Sequence, residues 1–101
     1  MRLFFFTTDT GFFEYLFTTD EQQAVQTFAI YLVLSKTPVS KMWFTEVTLA
    51  SVGCEHRDHL REALSQGLEA FGLYQNGKGW DLRLVQDRFD ELSRQAEGAA
   101  Q

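Results

Sequence analysis

Every histidine of the chain and its single cysteine fall in the short segment Cys54-Glu55-His56-Arg57-Asp58-His59. No other stretch concentrates comparable side-chain chemistry. Imidazoles three positions apart share one face of a helix. With the Cys54 thiolate, His56 and His59 could give zinc three protein ligands and leave a fourth position open, as catalytic sites do. The pattern C-x-H-x-x-H has neither the paired C-x-x-C arms of structural zinc modules nor the H-E-x-x-H spacing of metallohydrolases. A plain helix start explains the same residues. Glu55, Asp58 and Glu62 would then face solvent near the positive end of the helix dipole, with Arg57 and Arg61 pairing to Asp58 and Glu62. Cys54 as a nucleophile lacks an identifiable oxyanion donor or orienting group, so a small cysteine at a strand-to-helix junction is the expectation.

The remaining candidates are weaker still. Gly77-Lys78-Gly79 lacks the strand–loop–helix setting and the following Ser or Thr of a phosphate-binding loop, and reads as a turn. Asp20/Glu21 and Asp90/Glu91 are adjacent pairs, so on a helix they point apart and cannot share a proton across a cleft. No cofactor is expected.

Composition narrows the classes further. With 101 residues, 45% of them hydrophobic, the chain suits one compact domain, expected over residues 1–95 with a frayed tail at 96–101. Net charge is −5 and the nine basic residues are scattered, so no basic stripe exists for nucleic-acid phosphates. An acidic surface favours solubility and basic partners. One cysteine cannot form an internal disulfide, which fits a reducing, cytoplasmic setting. The apolar run after Arg2 stops at Thr7, short of a secretory core, and Phe28–Leu34 is too short to span a bilayer.

Elements follow from periodicity. Leu3–Thr8 and Phe12–Thr18 read as a hairpin about Asp9-Thr10-Gly11, with aromatics on both faces. Thr18 with Glu21 fits a capping box for a helix over about Asp20–Ser35, whose Phe28–Leu34 stretch is apolar all round and calls for burial on two sides. Met42–Leu49 alternates as a third strand. Glu55–Phe71 has helical spacing at Leu60, Ala63, Leu64, Leu68 and Phe71, with Gly67 inside it packed closely against a neighbour and Gly72 as its C-cap. Trp80–Val85 gives a fourth strand and Gln86–Gln95 a last helix.

The order ββαβαβα predicts an α+β two-layer domain: a mostly antiparallel four-stranded sheet with helices mainly on one face. Aromatics on the other face then need a cover, either the third helix or another chain, and homodimerisation is the commonest way to supply one. Tyr15, Tyr31, Trp43, Tyr74 and Trp80 combine large apolar bodies with polar tips and are the expected partner-binding residues, with Asp87, Asp90 and Glu91 as an acidic rim. The functional expectation is a small, acidic, non-catalytic protein-interaction module that occludes or scaffolds a protein partner. One version is a phage-type, anti-CRISPR-like inhibitor of a nucleic-acid-binding machine. The alternatives are a small metal-dependent or ligand-binding enzyme on Cys54, His56 and His59, and a structural subunit of a larger assembly.

Overall fold

The aromatic N-terminal segment folds back on itself as expected. In a computed structural model, which describes residues 1–99 and side chains through residue 95, strand β1 (Arg2–Thr8) pairs antiparallel with β2 (Phe13–Thr18) from Arg2↔Thr18 to Thr7↔Phe13. The Thr8 amide donates to the Phe12 carbonyl at 2.9 Å, and the Thr8 hydroxyl accepts the Phe12 amide at 3.1 Å. These bonds hold the loop at its short length.

Helix α1 (Glu21–Leu34) begins one turn chemistry away from the expected cap. Asp20, not Thr18, is the N-cap, and its carboxylate accepts the Gln23 amide at 2.8 Å. Thr18 is committed to the sheet opposite Arg2, and a carboxylate suits the positive end of the dipole better than a hydroxyl. Strand β3 (Met42–Val47) pairs with the other edge of β1, and the Asp9 carboxylate accepts the Ser40 and Lys41 amides at the entry to that strand.

A short 3₁₀ turn, Leu49–Ser51, leads to α2 (Cys54–Ser65), which ends well before the expected Phe71. Gly67 sits at φ +65 with nothing within 4 Å of where a Cβ would stand, so it reverses the chain rather than packing closely. Residues Ala70–Gln75 form β4, and Gly72 is a strand residue instead of a cap. The spacing Leu64, Leu68, Phe71 suits a helix, yet Ala70 to Gln75 suits a strand equally. Pairing with β2 through Phe17↔Ala70, Leu16↔Phe71 and Tyr15↔Gly72 decides it, because it satisfies backbone groups and brings Phe71 against Tyr31 at 4.7 Å. Strand β5 (Gly79–Leu84) pairs with β4, and α3 (Val85–Ala99) runs past the expected Gln95. Ala100 and Gln101, the end of the tail expected to fray, lie outside the described residues.

The result is α+β, with a five-stranded antiparallel sheet in the order β3-β1-β2-β4-β5 rather than four strands. Helices also cover both faces rather than one. On the α1 face, Phe4, Phe6, Leu16, Phe71 and Leu92 pack with Phe28 and Tyr31. On the α2 face, Leu3 and Phe17 meet Leu60 and Ala63. Helix α1 is buried on one side only, contrary to its all-round apolar sequence: Ile30 is 49% and Val33 75% exposed. Among the described residues, no helix is long and apolar enough to cross a membrane.

One acid intrudes on the α1 face. Burial pushes the Glu14 carboxyl above its ordinary value, while hydrogen bonds from the Tyr31 hydroxyl and the Tyr15 backbone and the charge of Arg88 offset part of the effect. A raised folded-state value means the protonated form is favoured on folding. Its contribution is complete below the unfolded value near 4.5 and is lost as pH rises through the higher folded value. Glu14→Gln should therefore melt higher than the natural protein at neutral pH and converge with it below about pH 4. Thermal melts of both proteins across that range check the sign.

Candidate interaction surface

Strand alternation assembles the site. Phe5 and Thr7 of β1, Phe13 and Tyr15 of β2, and Trp43 and Thr45 of β3 all point to the α2 face, as do Tyr74 of β4 and Trp80 of β5. Helix α2 lies over the Leu3–Phe17 end of this face and extends across β4 and β5 to Tyr74 and Trp80. Beyond it, Phe13 is 57% and Trp43 52% exposed, flanking Thr7 on either side in one row across the sheet.

From Phe13 the rings form a continuous path across the strands. Phe13 lies 6.1 Å from Phe5, Phe5 4.8 Å from Tyr15, Tyr15 5.1 Å from Trp80, and Trp80 5.2 Å from Tyr74. Gly72 makes the middle of the path possible. A Cβ there would stand 2.7 Å from Phe17 Cε2 and 2.9 Å from Trp80 Cε3, so only glycine lets these two rings meet edge to face over β4. The Trp80 indole nitrogen is buried and has no acceptor among the described residues. Tyr15, His56, Leu60, Tyr74 and Trp80 wall a cavity of about 230 Å³ between α2 and the sheet.

The ring path ends on the histidines. The Tyr74 hydroxyl lies 2.6 Å from His56 Nδ1 and 2.9 Å from His59 Nδ1. A hydroxyl has one proton to donate, so it donates to one imidazole and accepts from the other, which then carries its proton on Nδ1. Burial first, and the nearby Glu55 charge second, raise the Tyr74 phenol above its usual value, which keeps that proton in place. The three rings tie the first turns of α2 to β4.

Cys54 is exposed at the first position of α2, and both Nδ1 atoms are engaged by the Tyr74 hydroxyl. Among the described residues, no group of three or more His, Cys, Asp or Glu is placed to hold a metal ion.

The expected partner-binding residues divide between the two faces. Tyr15, Trp43, Tyr74 and Trp80 share the α2 face. Tyr31 is only 4% exposed, stacked among Phe12, Phe28 and Phe71 in the α1-face core, and offers no surface. Asp87, Asp90 and Glu91 lie on α3, across the sheet from the aromatic path, and so do not rim it. Asp90 accepts from Gln86, while Glu91 is held by Arg83 at 3.4 Å and Arg88 at 3.2 Å. Phe5 and Phe13 belong to the surface and were absent from the expected set. The strand alternation that groups Phe13 with Tyr15 was the available signal.

Fold and surface together define a small antiparallel α+β domain with part of one aromatic sheet face left open. No protein-family model, curated protein or solved structure matches the chain.

Proposed function

We propose that the protein is a non-catalytic binding module that engages another protein through the open end of its α2 face, with Phe13 and Trp43 as anchors and Phe5 and Tyr15 behind them. The observation that carries this reading is the exposure of more than half of two large aromatics in one sheet row, backed by rings already in contact. Such side chains bury much area for few rotatable bonds, and a preassembled backing lowers the ordering cost of binding. The net charge of −5 favours a basic partner through long-range steering. The carboxylates of α3 contribute to that field from the opposite side, not as contacts around the aromatics. Occlusion or scaffolding of the partner is the mechanism.

Capture of the tagged protein from lysate of its native cells, followed by titration of the identified partner, tests this. Phe13→Ala and Trp43→Ala should each weaken binding about tenfold or more. Neutralising Asp87, Asp90 and Glu91 together should mainly flatten the salt dependence of the association rate. A partner that binds both aromatic variants with unchanged affinity would show the reading to be wrong.

A further inference from the structure

The outer edge of β3 carries a different kind of surface. The Asp9 amide donates to the Lys41 carbonyl, which sets the parity of the β1–β3 ladder: Trp43, Thr45 and Val47 bond inward to β1. The N–H and C=O groups of Met42, Phe44 and Glu46 therefore point away from the sheet. The strand lacks the side chains that usually blunt an edge. The strand has no proline or lysine, and its one charge, Glu46, is folded back in a two-pronged pair with Arg2, Nη2 to Oε1 at 2.6 Å and Nε to Oε2 at 3.1 Å. The opposite edge differs, since β5 carries Asp81 and Arg83, both exposed.

We propose that β3 pairs antiparallel with β3 of a second copy of this chain, about a two-fold axis at Phe44. That register sets Phe44 opposite its own symmetry mate, Met42 opposite Glu46 and Trp43 opposite Thr45. It uses the outward groups of Met42, Phe44 and Glu46 together, and it opposes no like charges because Glu46 faces Met42. A second copy fits better than a lone foreign strand because the edge is flanked by more than backbone. The 75% exposed Val33 of α1 lines an open groove of about 490 Å³ together with Val39 and Met42. A strand alone would satisfy the amides; a whole domain also covers the groove and the 40% exposed Phe44 ring.

Sedimentation of the purified full chain should give twice the 11.7 kDa chain mass at micromolar concentration. Phe44→Lys and Phe44→Glu should each sediment as monomers, because like charges then meet at the axis. Their mixture should recover the double mass. Recovery on mixing separates a broken interface from a broken fold, since two misfolded chains would not restore each other. Amide exchange gives the register: Met42, Phe44 and Glu46 should be protected in the natural protein and exchange rapidly in either variant alone. A monomeric natural protein overturns the proposal. So does a dimer indifferent to both charges, or protection of these amides only when a different chain is added. None of these measurements depends on the partner proposed above.

Discussion

Phe28→Ala should remove about 3–5 kcal/mol of folding stability, the range for a fully buried phenylalanine whose site cannot collapse. Its ring is completely buried, stacked on Phe6 at 4.4 Å and bordered by Phe12 and Tyr31, so the vacated space is walled by other rings rather than by flexible chains. Domains of this size have about 5–15 kcal/mol in total, so the variant would be close to unfolding. Urea denaturation measures the loss. Gln26→Ala, two positions earlier on α1 and exposed, is the internal control and should shift stability by no more than about 0.5 kcal/mol. Equal losses would place the core of α1 on the wrong side.

Gly72→Ala should cost about 1–3 kcal/mol although it adds one methyl group. The new carbon would stand 2.7 Å from Phe17 and 2.9 Å from Trp80. Phe17 is fully buried against the contacts of α2 and cannot withdraw, so the half-buried Trp80 must yield. That movement would separate the indole from Tyr15 and Tyr74 and interrupt the ring path. Near-ultraviolet circular dichroism should therefore lose aromatic signal while the far-ultraviolet spectrum holds. A variant as stable as the natural protein, with its aromatic signal intact, would mean that the indole does not rest on β4.

The two proposed surfaces reinforce one another. A two-fold axis perpendicular to the sheet keeps both α2 faces on the same side, so pairing through β3 would bring two aromatic surfaces onto one continuous sheet. A partner with two matching sites would then bind with avidity beyond either contact alone.

Much of the architecture was legible in short-range pattern. The hairpin, α1, β3 and β5 follow from alternation, helical spacing and turn residues, all set by the backbone's own periods within a few residues. The aromatic excess on both hairpin faces also pointed to a surface needing cover. What the residues near Gly67 would do was not legible in this way. Leu64, Leu68 and Phe71 satisfy a helical period while Ala70 to Gln75 satisfy a strand, and the choice rests on hydrogen bonds to β2, more than fifty positions earlier. That choice added the fifth strand, and with α2 packed on the opposite face from α1, Phe13 and Trp43 stay uncovered beside it. The histidines show the same division. Sequence spacing placed His56 and His59 on one face of a helix, but only the arrival of Tyr74 on β4 gave them a common hydroxyl. Local chemistry determined which segments could be helix or strand, and the long-range pairing of backbone groups determined which side chains met, because that pairing must satisfy the whole sheet at once.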